Sequence, residues 1–131
     1  MQQFLNMAPM KEPRVLVADD DEDTVLTLTT LLRDEGYDAR GVHRGAEVLQ
    51  EVFNFAPDVV LLDIGMPQMS GYEVARTLRE RYGSARPALI AVTGRSGPAD
   101  RQQARAAGFE YHIAKPYEPR ELLRLIGRLA R

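Results

Sequence analysis

Short apolar runs alternate along the chain with longer segments whose apolar residues recur every three or four positions. Residues 15–18, 59–62 and 89–92 are apolar throughout, residues 111–114 are more weakly so, and residues 39–42 form a less apolar candidate strand. Runs that are continuously apolar, with no polar alternation, predict strands covered on both faces of a sheet.

The intervening segments have the periodicity of amphipathic helices. Their apolar stripes are, in chain order, Val25, Leu28, Leu31 and Leu32; Ala46, Val48, Leu49, Val52 and Phe53; Val74, Ala75 and Leu78; and Leu122, Leu123, Leu125, Ile126 and Leu129. Gly36 is expected to end the first helix. An alanine-rich segment at 98–107 precedes Gly108, which is well placed to end another helix.

Five strand–helix pairs in strict alternation predict an α/β fold with one parallel sheet and helices on both faces. Right-handed crossovers leave few topologies, and we predict a doubly wound sheet with strand order 2-1-3-4-5. Residues 1–13 contain three methionines and two prolines without periodicity. We interpret them as a flexible leader in front of one domain at 14–131.

The composition of the chain argues against several classes of function. The net charge of −2 lacks the basic excess of a dedicated nucleic-acid binder, so we expect no direct nucleic-acid contact. The absence of cysteine excludes disulfides and thiolate chemistry, and His43 and His112 lack metal-ligand spacing. No apolar run approaches the roughly 20 residues that span a bilayer, and no signal peptide is apparent. We therefore expect no membrane insertion and a cytoplasmic location.

Chemically active side chains follow four of the predicted strands. They are Asp19, Asp20 and Asp21 after the first strand, Asp63 after the third, Thr93 after the fourth, and Lys115 with Pro116 after the fifth. Ligands of a doubly wound sheet bind beyond the carboxyl ends of its strands. The topology therefore predicts that carboxylates, a hydroxyl and an ammonium group share one site.

Together, these groups have the chemistry that phosphoryl transfer requires. Crowded carboxylates raise one another's pKa unless a cation compensates, and Mg²⁺ takes carboxylate oxygens together with water and phosphate. Aspartate is also a covalent phosphoryl acceptor. A lysine and a threonine hydroxyl suit the phosphate oxygens, and the reaction depends mainly on positioning and charge neutralisation.

Each of these residues also has an ordinary structural role. An acidic run such as 19–23 suits a helix N-terminus, and we expect Asp21 or Glu22 to serve that purpose. An aspartate at a strand end, a Thr-Gly pair and a Lys-Pro pair are all common in turns. Their joint occurrence, in register with four predicted strands, favours the phosphoryl site.

The same segments resemble the response-regulator receiver domain of bacterial two-component systems. The resemblance extends from about Arg14 to Ala130 and is carried by VLVADDD, PDVVLLDIGMPQMSGYE, IAVTG, AGF and KP. The ending around His112 is similar to that of receivers in hybrid sensor kinases or single-domain response regulators. This resemblance implies the flavodoxin-like (βα)5 fold and a phosphorelay function.

The resemblance also implies residue roles. Asp63 is the expected phosphoacceptor, Thr93 and Lys115 the expected contacts of the phosphoryl group. The donor is expected to be a phosphohistidine on a histidine kinase or histidine phosphotransfer protein. Output is expected through a downstream protein or self-association. The chain would catalyse only its own phosphorylation and dephosphorylation, and so is not a classical enzyme.

Mg²⁺, with Mn²⁺ as a substitute, is the cofactor that the resemblance implies. Asp20, Asp63 and the backbone carbonyl of Gly65 are the expected direct ligands, and Asp19 is expected to act mostly through water. The bond between Lys115 and its following proline is expected to be cis, a minority state in folded proteins.

His112 departs from the usual receiver pattern, in which a Tyr or Phe at this position moves with the threonine. We predict that His112 keeps this switch role with a pH-dependent charge, the alternative being a half-buried histidine at a strand edge. Tyr111 should point to the opposite face of the strand. Gly65 and Arg95 are further departures, which leave the approach to the acceptor open on one side and positively charged on the other.

Two other functions fit part of the pattern. A Mg²⁺-dependent phosphatase with an aspartyl-phosphate intermediate usually has a second acidic residue where this chain has Gly65, and it needs more chain for a substrate cap. A degenerate receiver that acts as a phosphorylation-independent docking module typically lacks an acidic residue, the acceptor or the lysine. All of these are present here.

Overall fold

The computed structural model describes residues 12–84, 86–95 and 97–130. Apart from Glu12 and Pro13, the predicted leader lies outside these residues, and its boundary stays a prediction. The strands and helices are, in chain order, β1 (Arg14–Ala18), α1 (Glu22–Asp34), β2 (Asp38–Val42), α2 (Gly45–Phe55), β3 (Val59–Asp63), α3 (Gly71–Tyr82), β4 (Ala88–Thr93), α4 (Pro98–Ala107), β5 (Tyr111–Ala114) and α5 (Pro119–Ala130).

The strands form one parallel sheet in the order β2-β1-β3-β4-β5, which confirms the predicted topology. The winding of the sheet reverses between β1 and β3. In a doubly wound fold this reversal opens a crevice at the carboxyl ends of the two strands. Within the described ranges, every helix is too short or too polar to span a bilayer.

Two apolar layers cover the faces of the sheet. The layer under α2, α3 and α4 receives Leu16 and Leu62, and the layer under α1 and α5 receives Val17 and Leu61. Every residue of β3 and β4 is buried, whereas β5 at the edge is only partly covered. The continuous apolar runs therefore predicted the central strands correctly.

The apolar stripe predicted for the second helix is wrong in two positions. Ala46 is exposed and Phe53 is 74% exposed, whereas Phe55 is buried beside Val52. Phe55 lies three residues after Val52 and shares its face, but Phe53 is turned away by about 100°. Phe55, not Phe53, therefore closes this end of the core. The guanidinium group of Arg40 lies over the Phe55 ring, 4.3 Å from its centroid.

Helix ends follow the predicted signals. The Asp21 side chain accepts hydrogen bonds from the N–H of Asp23 at 3.3 Å and the hydroxyl of Thr24 at 2.7 Å, which caps α1. Gly108 follows α4 with a φ of 111° in the left-handed region. Arg79 donates to the Gly108 carbonyl at 2.8 Å and thereby ties α3 to the loop that leads into β5.

The turn after β3 brings the start of α3 against the backbone of that strand. The N–H of Gly71 donates to the carbonyl of Ile64 at 3.0 Å, and Ser70 and Glu73 form a capping box around this start. A Cβ at Gly71 would lie 2.7 Å from the Cα of Ile64 and 3.1 Å from the carbonyl oxygen of Asp63. Glycine is therefore required for this close approach.

Replacement of Gly71 by alanine is expected to lower the free energy of unfolding by about 1–3 kcal/mol, because the new methyl group meets backbone atoms that cannot rotate away. Urea denaturation measures the change. Gly94→Ala is the matched control, since a Cβ there meets nothing within 4 Å. Equal stability of the two variants would contradict the steric argument.

Candidate functional site

Three carboxylates meet where β1 and β3 end. Asp19 and Asp20 directly follow β1, and Asp63 is the last residue of β3. One oxygen atom of each carboxylate lies within 4.8 Å of the others. Asp19 and Asp63 are only 4% and 7% exposed, whereas Asp20 is open to solvent. Asp21, the fourth acidic residue considered, caps α1 instead of joining the cluster.

Backbone amides orient the two buried carboxylates. The N–H of Asp21 donates to Oδ1 of Asp19 at 2.9 Å, and the N–H of Gly65 donates to Oδ1 of Asp63 at 3.1 Å. Both bonds come from residues two positions further along the chain, as in an Asx turn. In each carboxylate the Oδ2 atom is left to interact with other groups.

Lys115 directs its ammonium group at both Oδ2 atoms. Its Nζ lies 3.2 Å from Asp19 and 3.6 Å from Asp63. The N–H of Lys115 donates to the carbonyl of Thr93 at 2.8 Å, which continues the pairing of β4 and β5 by one residue. The bond from Lys115 to Pro116 is cis, as predicted. The Arg86–Pro87 bond is also cis, and no sequence signal had indicated it.

In the part of the chain that the structure describes, the ion pairs of this cluster come from Lys115 alone and do not balance its carboxylates. Burial raises the pKa of Asp63, the negative charges of Asp19 and Asp20 add to the shift, and the Gly65 N–H and Lys115 oppose it. Burial alone would lower the pKa of Lys115, but Asp63 and Asp19 outweigh it and raise that pKa. Three ionised carboxylates and one ammonium group leave a net charge of −2, so the all-oxygen donor set fits a hard divalent cation.

Thr93 is the last residue of β4 and is 8% exposed. Its Oγ1 accepts a hydrogen bond from the N–H of Arg95 at 3.1 Å. Within the described ranges, Thr93 and Asp63 are not joined by a hydrogen bond, although the two strands pair side by side. The hydroxyl is therefore held by its own loop at the edge of the site.

His112 lies on β5, opposite Ala91 in the sheet, and so faces the layer that contains α4. Both of its ring nitrogens are buried, and neither has a hydrogen-bond partner among the residues that the structure describes. Burial lowers the pKa of His112, Arg101 adds to this effect, and Asp100 and the backbone of Arg95 oppose it. Burial among these groups therefore favours the neutral form of the imidazole.

Tyr111, the neighbour of His112, pairs with Ile90 and lies on the opposite face of the sheet, as predicted. It is 44% exposed.

Two residues near the site were missed in the sequence. His43 Nδ1 lies 3.2 Å from the carbonyl oxygen of Asp19, and burial together with Asp19 raises the pKa of Tyr117. His43 directly follows β2, and Tyr117 lies in the connection after β5. Both therefore share with the other site residues a position beyond the carboxyl end of a strand.

Comparison with known proteins gives a consistent result. Residues 15–127 match the family model described as response regulator receiver domain. The chain is 36% identical over 119 residues to the DNA-binding response regulator MtrA of Mycobacterium tuberculosis and 34% identical over 122 residues to the transcriptional regulatory protein CreB of Escherichia coli. These alignments cover 90% and 93% of this chain but 51% and 52% of the relatives, so the chain spans about half the length of the curated relatives it matches.

Among solved structures, the chemotaxis protein CheY4 of Vibrio cholerae is similar to this chain with a TM-score of 0.85 at 26% sequence identity. The superposition covers 91% of this chain and 99% of that protein. This chain therefore shares its fold with nearly the whole of that protein.

The depressed pKa of His112 predicts a pH-dependent stability. Because the folded pKa lies below the ordinary value of 6.5, the unfolded chain binds more protons as the pH falls below that value. Stability is therefore full above about pH 6.5 and falls as the pH is lowered towards the folded pKa. Urea unfolding midpoints between about pH 7.5 and pH 5 measure the trend.

His112→Phe is expected to remove that part of the pH dependence, while His43→Gln retains it. Carboxylate titrations are common to all three proteins and cancel in the comparison. An unchanged pH dependence in His112→Phe would show that the buried imidazole does not bind the proton.

Proposed function

Since the chain belongs to the response regulator receiver family of two-component systems, we propose that Asp63 accepts a phosphoryl group from a phosphohistidine. The observation that supports this most directly is the approach of Lys115 Nζ to the carboxylates of Asp19 and Asp63, at 3.2 and 3.6 Å. An ammonium group in that position neutralises charge that a phosphoryl group would bring to the acceptor. The histidine kinase or histidine phosphotransfer protein is the proposed donor.

A divalent cation is part of the proposal. Asp20, Asp63 and the backbone carbonyl of Gly65 would bind Mg²⁺, or Mn²⁺ in its place, and Asp19 would contribute mostly through water. Support comes from the three carboxylates within 4.8 Å of one another and from the raised pKa of Asp63. The cation supplies neutralisation of charge between the acceptor carboxylate and the phosphate.

The proposed reaction uses the chain's own groups. A carboxylate oxygen of Asp63 attacks phosphorus, a P–O bond forms as the P–N bond to the donor imidazole breaks, and the imidazole leaves with the electron pair. Lys115 would pair with a phosphate oxygen during this step. The Gly65 N–H and Lys115 favour the ionised form of Asp63 against the effect of burial, so no separate general base is required.

The phosphorylated form would differ at two side chains. The Thr93 hydroxyl uses its oxygen to accept from Arg95, so its hydrogen is available for a phosphate oxygen. Movement of Thr93 would open space next to His112, which lies on the same face of the sheet. We propose that this biases a surface formed by α4, β5 and α5 towards a downstream protein or a second copy of the chain.

The alternatives have less support. A docking module that works without phosphorylation does not require an acidic pair, an acceptor and a lysine in mutual contact. A phosphatase would need an acid at the position of Gly65. The relative named DNA-binding response regulator is about twice as long as this chain. The expected lack of nucleic-acid contact therefore concerns only the receiver segment.

Asp63→Asn is expected to reduce phosphoryl incorporation from labelled acetyl phosphate and magnesium by at least about a hundredfold, because the amide is a poor nucleophile. Intact-protein mass spectrometry or radiolabel counting measures incorporation. Asp34→Asn, on the exposed end of α1, is the charge-matched control. Undiminished labelling of Asp63→Asn would remove Asp63 from the acceptor role.

Asp20→Asn is expected to weaken magnesium binding by at least about tenfold, because one anionic oxygen ligand is replaced by a neutral one. Amide chemical shifts of Asp63 and Gly65 during a magnesium titration measure the affinity. Asp23→Asn, in the exposed first turn of α1, controls for the change in net charge. A failure of the unaltered chain to bind magnesium near these residues would instead favour the docking module.

A further inference from the structure

His43 lies at the junction between β2 and the acidic site. It directly follows the last residue of β2, where Val42 pairs with Ala18, and its half-buried side chain reaches the neighbouring connection after β1. The imidazole Nδ1 lies 3.2 Å from the backbone carbonyl oxygen of Asp19. A carbonyl oxygen can only accept a hydrogen bond, so Nδ1 carries the proton of this contact.

The backbone of Asp19 is thus held at both of its polar groups by consecutive residues. Its N–H donates to the carbonyl of Val42 at 3.2 Å, and its carbonyl accepts from His43. The carbonyl of Asp19 and the N–H of Asp20 belong to one planar peptide unit. The hydrogen bond from His43 therefore fixes the orientation of the peptide that joins the acidic pair.

Asp20 depends on this peptide more than the other two carboxylates do. Backbone N–H groups and Lys115 orient the carboxylates of Asp19 and Asp63. The side chain of Asp20 is exposed, and among the residues that the structure describes it forms no hydrogen bond or ion pair. Its place beside the other carboxylates is therefore set by the backbone that carries it.

The loop that carries His43 is itself firmly held. The N–H of His43 donates to Oε1 of Glu47, in the first turn of α2, at 3.1 Å. A Cβ at Gly45 would lie 2.9 Å from the Cβ of Met69 and 3.1 Å from its carbonyl oxygen, so the start of α2 packs closely against the connection after β3. A side chain on such a support can hold its hydrogen-bond partner in one orientation.

We propose that His43 is a positioning residue of the acidic site. Its Nδ1–H holds the peptide between Asp19 and Asp20 and thereby keeps the Asp20 carboxylate in place for the divalent cation. This inference rests on the proposed function, because it concerns the cation that the carboxylates would bind. Without the hydrogen bond the peptide is free to rotate, and cation binding then has to restore its orientation, which lowers the affinity.

Two substitutions separate the hydrogen bond from the imidazole ring. His43→Asn retains an N–H donor at the position of Nδ1, since both nitrogen atoms are bonded to Cγ, whereas His43→Leu has a branched side chain without a donor. The amide shifts of Asp63 and Gly65 during a magnesium titration measure the affinity. We expect it to fall about three- to tenfold in His43→Leu, the effect of one hydrogen bond, and to stay within about twofold in His43→Asn.

Val52→Ala controls for a general loss of stability, because it truncates a buried side chain of α2 outside the acidic site. The rate of labelling by acetyl phosphate gives a second measurement. His43→Leu is expected to need more magnesium for half of the maximal rate but to keep the maximal rate itself. Unchanged magnesium affinity in His43→Leu, or a loss that His43→Asn or Val52→Ala shares in full, would overturn the proposal.

The metal-free chain offers an independent measurement. Long-range proton–nitrogen correlation spectra of the imidazoles, in mildly alkaline buffer, are expected to show the His43 proton on Nδ1. The amide nitrogen shift of Asp20 is expected to move in His43→Leu and to return in His43→Asn. A His43 proton on Nε2 in these spectra would contradict the hydrogen bond to Asp19 and with it the positioning role.

Failure of the proposed function gives a different result. If Asp63 is not labelled, but magnesium binding weakens in His43→Leu and recovers in His43→Asn, the phosphoacceptor function fails and the positioning role stands. If Asp63 is labelled, but the unaltered chain and both His43 variants bind magnesium equally, the positioning role is overturned and the phosphoacceptor function stands.

Discussion

The carboxylates of Asp19 and Asp63 lie almost fully buried and close together, at the point where the sheet reverses its winding. Like charges in such a place are costly unless hydrogen bonds and cations compensate them. The amides of Asp21 and Gly65 and the ammonium group of Lys115 provide part of that compensation. The arrangement of strands and turns around the site has the effect of keeping these donors in place.

The position of Lys115 next to the carboxylates depends on the pairing of several strands. Lys115 belongs to the connection after β5, at one edge of the sheet, yet it contacts an aspartate that follows β1. The pairing of β3 with β4 and of β4 with β5 sets the distance between them. On the other side, the close approach at Gly71 fixes the turn that follows Asp63. A change in strand register would therefore separate the ammonium group from the carboxylates it stabilises.

β4 and β5 also connect the acidic site to the buried imidazole of His112. Thr93 ends β4 and pairs with Ala114, and His112 lies two pairs earlier, on the same face of the neighbouring strand. The carboxylate cluster carries a net negative charge that suits a divalent cation, whereas the imidazole of His112 is buried and has no hydrogen-bond partner among the described residues.

The sequence by itself determined the elements, their order and the end of the sheet where the site lies. Apolar periodicity and helix-end signals are local, and the crossover rule then leaves few topologies. The local pattern of apolar residues did not predict which of two equally apolar side chains is buried, as with Phe53 and Phe55. Only the packing of α2 against the sheet decided between them.

The tertiary structure alone decided which charges are compensated. Asp19 and Lys115 form a contact across 96 positions of sequence, Glu110 is engaged by Arg79, and both nitrogens of His112 are buried without a described partner. None of these facts follows from residue type or spacing. Electrostatic interactions depend on distance and burial, and for residues far apart in the chain both are set only when the helices and strands pack together.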